Sequence, residues 1–224
     1  MTRTSFLIFL ALILAIGGGT VWYLAETREA SLARPGTGAA LPAAEESLAL
    51  YSNGPYGFTL TYPETATVEY EFSPSYHIPP LWRVNALPDS VGAPIVAIIP
   101  YQTESDHSYP RHYAAMVRIG ASADAAEVEA CEAPAEDRGE AALPDAEIGG
   151  KAWKAFAFQS AGMMQYASGV SYRTVHEGRC IALEKIRVGS SYREEPSAED
   201  IPDVVLDEEY EELSAIVESF TFVR

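Results

Sequence analysis

The chain predicts an α+β domain built on a mainly antiparallel sheet. Three observations lead there. Beyond residue 50, aromatic or apolar residues repeatedly alternate with polar ones, the period of a half-buried strand. The connections between such stretches are short and turn-rich, as at His176, Glu177 and Gly178, which favours antiparallel neighbours. Two further segments carry helical signals, and an amphipathic helix needs a sheet face to cover.

The first element precedes that domain. Residues 5–25 are 21 residues without a charge, with Arg3 before them and Glu26, Arg28 and Glu29 after. As a helix they would span roughly 31 Å, the thickness of a bilayer's hydrocarbon. The expectation is a transmembrane signal anchor over 5–25, with 1–4 in the cytoplasm and Trp22 and Tyr23 at the outer membrane interface. The alternative is a cleaved signal peptide, with Ala15, Ile16 and Gly17 near the cut, and a secreted product. No cysteine stands here to carry a lipid. Positive charge before the span and negative charge after it orient the bulk of the chain outside the cytoplasm. Residues 26–50 are rich in Ala, Gly and Pro and read as a flexible linker, roughly 25–30 Å end to end.

The domain proper is expected over 51–224. Tyr56, Phe58, Leu60 and Tyr62 alternate with small or polar residues and form one face of a strand that stops at Pro63. Alternation over 67–72 and 81–87 predicts two more strands. The apolar run 93–101 predicts a central strand buried on both faces, and 113–119 another strand. Ser122 reads as the N-cap of a short helix over 123–131, with Asp124 and Glu127 near the positive end of its dipole. Residues 134–144 read as an acidic solvated loop. Strands follow over 151–159, 163–175 and 179–188, then a loop over 193–202. Over 207–217 a helix places Tyr210, Leu213 and Val217 on one face beside Ile216. Residues 220–223 form a closing strand.

The charge balance excludes one class of partner. Acids outnumber bases 32 to 15, for a net charge of -17, and such a surface repels phosphate backbones, so no nucleic acid is expected. The eleven acids between Glu194 and Glu218, with no base among them, read as a solvated face. Lys151, Lys154, Arg173, Arg179, Lys185 and Arg187 concentrate in the three-strand stretch, where they either face these acids across the domain or form a modest positive patch.

Cys131 and Cys180 are the only cysteines. In an exported domain an even count reads as a disulfide. Asp106, His107 and His112 lie within seven residues and are candidate metal ligands, but no further ligand joins them, so neither a metal nor another cofactor is expected. No catalytic residue is assigned: Ser105, Asp106 and His107 are sequence neighbours, which rarely present triad geometry, and no glycine-rich phosphate loop is present.

Both ends of the domain resemble a known family. Tyr56, Gly57, Phe58, Thr59, Leu60, Thr61, Tyr62 and Pro63 are similar to the opening hairpin of PsbP-like domains, and Ile216, Val217, Glu218, Ser219, Phe220, Thr221 and Phe222 to that family's ending. The resemblance implies an αβα sandwich around a central antiparallel sheet over 51–224, and a domain that works by binding proteins. It carries no active site to these positions.

The function expected is therefore a membrane-anchored extracytoplasmic binding or assembly module without catalytic activity. Its partners would be the membrane, through the leading helix, and another envelope protein. It would sit single-pass in the cytoplasmic membrane. Two alternatives are a small-molecule or hydrolytic enzyme with a site around His107 and His112, and a structural envelope protein.

Overall fold

The computed structural model describes residues 47–72, 78–103, 112–162, 165–190 and 201–223. The expected span over 5–25, with Trp22 and Tyr23, and the candidate ligands Asp106 and His107 lie outside them. Among the described residues no helix is long and apolar enough to cross a membrane.

Alternating sequence builds two antiparallel sheets. Strands β1 (Leu48–Asn53), β2 (Phe58–Pro63) and β10 (Thr221–Phe222) make a small one in the order β1-β2-β10. The large one contains β3 (Thr67–Glu69), β4 (Ala93–Gln102), β5 (Tyr113–Ser122), β6 (Glu140–Ile148), β7 (Lys151–Gly162), β8 (Gln165–His176) and β9 (Arg179–Ser190), in the order β3-β4-β5-β9-β8-β7-β6. All its pairs are antiparallel. At the β8–β9 turn Glu177 and Gly178 both take positive φ, 48° and 73°, as a tight two-residue hairpin requires. Helices α1 (Ala125–Glu129) and α2 (Asp203–Ser219) complete the regular structure.

β5 lies near the middle and is buried at all ten positions. The sequence assigned that status to β4, whose ends are partly open. β5 earns it through small residues: Ala114, Ala115, Gly120 and Ala121 let covering layers approach both faces. On one face Ala115, Val117 and Ile119 of β5 and Ile181 and Leu183 of β9 share a core with Leu206, Leu213, Ile216 and Val217 of α2. The small sheet adds Phe58 and Leu60, and Phe58 stacks on Phe220 at 5.0 Å. Burying each such side chain is worth about 1.5–3 kcal/mol. α2 begins four residues before the expected start, because Leu206 extends its apolar stripe one more turn.

The opposite face differs from the expected sandwich. Its cover is mostly irregular chain over 78–91, and the helical part is only the five residues of α1. The expected strand over 81–87 is absent, although its alternation is real: Trp82, Val84 and Ala86 are all buried. No strand pairs with it. Its polar backbone bonds to side chains instead, with Val84 N–H donating to Glu184 Oε1 at 2.8 Å and Arg118 Nη2 donating to the Leu81 carbonyl at 2.7 Å. Trp82 settles into a glycine-lined seat. A Cβ on Gly120 would lie 1.7 Å from the Trp82 carbonyl oxygen, and one on Gly92 would lie 2.2 Å from Trp82 Cγ.

Four smaller expectations are corrected. The N-cap of α1 is Asp124, whose carboxylate accepts from Ala126 and Glu127 N–H at 3.0 and 3.3 Å; Ser122 instead donates to the Val91 carbonyl. The expected loop over 134–144 contains a 3-10 turn (Glu136–Arg138) and enters β6. As an edge strand β6 has most of its middle exposed, so no alternation announces it. β1 crosses the expected linker boundary at 50, and the expected strand over 67–72 pairs only as far as Glu69.

Candidate functional site

The covered but irregular face of the large sheet carries the polar chemistry. Strand registers align Glu69, Ala97, Arg118, Glu184, Ser171 and Phe156 in one row across six strands. Arg118 is the single charge in β5, Glu184 stands beside Lys185 in β9, and both are almost wholly buried. Arg118 Nε stands 3.8 Å from Glu184 Oε2, and its guanidinium lies over Phe72 at 4.0 Å. Burial pushes the Glu184 carboxyl above its ordinary value, opposed by Arg118 and the Val84 N–H. Burial lowers Arg118 as well, opposed by Glu184.

A second buried pair stands nearby. Arg173 Nη2 donates to Glu140 Oε2 at 2.5 Å, and neither side chain has any exposed surface. The Arg173 guanidinium lies over Phe156 at 3.8 Å. Glu140 Oε2 also accepts from Ala135 N–H at 2.7 Å, while its Oε1 faces Arg83 Nη1 at 3.8 Å. Arg83 in turn reaches Glu127 of α1 at 3.4 Å. Three buried arginines are thus answered by three glutamates, which ties the irregular cover to the sheet.

Beside Arg118 a cavity of about 210 Å³ opens over β4 and β5. Phe72, Ile78, Ile99, Ala114 and Met116 form its apolar walls. Arg118 and Glu69 share one end, since Glu69 pairs with Ala97 and Ala97 with Arg118. Gln102 and His112 share the other, where Gln102 pairs with Ala114.

Of the three candidate metal ligands, His112 alone lies within the described residues. Its Nδ1 sits 3.3 Å from Thr103 Oγ1, its backbone N–H donates to Ser190 Oγ at 3.1 Å, and burial lowers its pKa. Among the described residues no group of three or more His, Cys, Asp or Glu side chains is placed to hold a metal ion.

Cys131 and Cys180 form a disulfide with Cα atoms 5.5 Å apart. It joins the segment after α1 to the start of β9 and packs with Trp82, Ala86 and Ala182. The clustered bases largely face acids. Lys185 donates to Glu211 at 3.0 Å and Arg187 to Asp207 at 2.7 Å, both across to α2, and Lys154 pairs with Asp145 at 2.7 Å. Lys151 donates to the Val175 carbonyl instead, beside the His176–Phe222 stack at 3.7 Å. A second hollow of about 330 Å³ adjoins the start of α2, lined by Tyr166, Ser168, Arg187, Asp203 and Asp207 among others.

Sequence reasoning missed Arg83, Arg118, Glu140 and Glu184. Two of them left a readable signal, a charge in phase with buried small or apolar neighbours, as Arg118 between Met116 and Gly120 and Glu184 between Ala182 and Ile186. Arg83 and Glu140 left none: Arg83 falls at an outward position of the 81–87 alternation and is buried all the same, and the segment of Glu140 has no clean period.

No family model and no curated protein matches the chain. Among solved structures it is similar to cyanobacterial PsbP (CyanoP) from Synechocystis, at 12% identity over 86% of this chain and 99% of that one, with a TM-score of 0.36. It is also similar to LpqN, described as involved in cell envelope biogenesis of Mycobacterium tuberculosis, at 13% identity over 80% of this chain and 86% of that one, with a TM-score of 0.29. The first bears the name of the family that both ends of the domain resemble, and neither likeness assigns this chain a role.

Proposed function

We propose that this chain is an extracytoplasmic binding or assembly module, held at the cytoplasmic membrane by residues 5–25 and working without catalysis through contact with another envelope protein. The observation that carries the reading is the buried Cys131–Cys180 disulfide behind a charge-free stretch of membrane-spanning length. Disulfides persist in oxidising compartments and are rare where glutathione keeps thiols reduced. The acidic domain and the positive charge before the span agree with export.

Fractionation with thiol labelling tests it. The intact chain should pellet with membranes, be digested by protease added outside spheroplasts, and resist alkylation until a reductant is added. In-cell crosslinking should then give one discrete heavier adduct that survives washing. A soluble cytosolic chain with both thiols alkylated overturns the placement. A correctly placed chain that never crosslinks overturns the assembly role.

A further inference from the structure

The cavity beside Arg118 has a composition that selects a ligand class, and the selection is independent of where the chain resides. An apolar cavity of about 150 Å³ stays dry and takes benzene. At about 210 Å³, with Phe72, Ile78, Ile99 and Met116 around it, this one suits an apolar body of roughly eight or nine heavy atoms.

Charge decides the rest. Arg118 lines the cavity, with its guanidinium over the ring of Phe72, another lining residue. Its positive charge is already answered by Glu184 at 3.8 Å. Glu69 lines the same end, two strands away, roughly 10 Å between backbones. Among the described residues, an entering carboxylate would meet one guanidinium and two carboxylates, and an entering ammonium would meet the guanidinium. Both would also shed more water on entering than a neutral molecule does. A hydroxyl or primary amide escapes this conflict, because it accepts from Arg118 and donates toward Glu69. The far end asks for the same neutrality, since Gln102 is an uncharged amide and burial disfavours the charged form of His112.

We propose that this cavity is a binding site for a small uncharged molecule with an apolar body and a single hydroxyl or amide group.

Methionine methyl NMR on the full-length chain in lipid nanodiscs tests the proposal. The chain has four methionines, Met1, Met116, Met163 and Met164, of which Met116 is the one among the described residues and lines the cavity. Benzyl alcohol, benzoate and benzylammonium serve as probes, sharing one ring and differing in head group. Benzyl alcohol should move the Met116 methyl by its ring current in a saturable curve. The two ions should bind at least about tenfold more weakly. Ala114→Leu and, separately, Ala97→Val fill the cavity from opposite ends, and each should abolish the Met116 response. The proposal is overturned if benzyl alcohol gives no saturable shift, if either ion binds as tightly, or if a folded cavity-filling variant binds unchanged. The wild-type titration decides by itself should the variants fail to fold.

Discussion

Removing the Glu140 carboxylate should be among the costliest single changes in the domain. The side chains of Glu140 and Arg173 have no exposed surface, and they meet at 2.5 Å. Glu140 Oε2 also accepts from Ala135 N–H at 2.7 Å, and Arg83 Nη1 lies 3.8 Å from Oε1. Glu140→Ala therefore leaves a guanidinium charged in a place that water cannot reach, and strips a buried backbone N–H of its acceptor. Breaking a buried pair from one side costs about 3–5 kcal/mol. Domains of this size lose about 2–4 °C of melting temperature per kcal/mol, so the drop should be about 6–20 °C. Against a total stability of about 5–15 kcal/mol, this variant stands near the edge of folding. The double variant Glu140→Leu with Arg173→Met removes both charges and keeps the volume apolar, and it should recover most of the loss. Urea denaturation followed by circular dichroism on Glu140→Leu, Arg173→Met and the double variant, beside wild type and Glu140→Ala, closes the cycle. A Glu140→Ala cost below about 1 kcal/mol, or a double variant no more stable than the single ones, would show that the pair is not what ties the cover to the sheet.

The same cover yields further tests. Gly120→Ala would put a Cβ 1.7 Å from the Trp82 carbonyl oxygen; this is backbone with nowhere to go, so the loss should be about 3 kcal/mol or more in urea unfolding. Replacing Cys131 and Cys180 together by Ser opens a loop of 49 residues and should cost about 4 kcal/mol by the chain-entropy relation, read as an equal loss in wild type on adding reductant to the unfolding buffer. Burial holds His112 below its ordinary 6.5, so the folded state takes up this proton less readily than the unfolded chain. Its contribution is complete above pH 6.5 and is lost as pH falls through the depressed value. Urea midpoints from pH 7.5 down to pH 5 should therefore fall more steeply for wild type than for His112→Asn, and parallel curves would refute the assignment.

What the sequence disclosed follows from where a period was strong. β2, β4, β5, β7, β8, β9 and the carboxyl-terminal helix all put side chains against one continuous core, and burial on one face is what writes a period of two or 3.6 into a sequence. Where no face is buried as a whole, nothing is written. β6 is an edge strand closed at its two ends by Glu140 and Ile148, with a bulge between Leu143 and Ala146, so its residues read as loop. The 81–87 segment shows the reverse failure. Its alternation reports burial faithfully, but a strand also needs a neighbour, and the groups that satisfy this backbone are side chains of Arg118 and Glu184, distant in sequence. The candidate cavity was illegible for the same reason. Glu69, Ala97 and Arg118 belong to three strands, and only the register brings them into one row.

The two faces of β5 divide the labour of the domain, and this division locates its chemistry. Odd-numbered residues, Tyr113 to Ala121, contribute only apolar side chains and one tyrosine hydroxyl, which donates to the Leu206 carbonyl at 2.6 Å. That face is sealed by α2 and the small sheet, as cohesive packing requires. Even-numbered residues pass from His112 through Ala114 and Met116 to Arg118, then to Gly120 beneath Trp82. The cover there is irregular chain, fixed by a disulfide, a seated tryptophan and buried ion pairs, together with the apolar cluster that Ile78 and Val84 make with Ile99, Met116, Ile186 and Val188. Such a cover can leave a gap without weakening the core behind it, because the other face of the same strand supplies the cohesion. A sheet sealed by regular layers on both sides would leave no cavity of about 210 Å³, since packed cores hold few voids larger than a water molecule. The cavity is thus permitted by the pairing of one face packed against a long helix with one covered by irregular chain, and changes confined to Ala97 or Ala114 should alter it with little effect on α2.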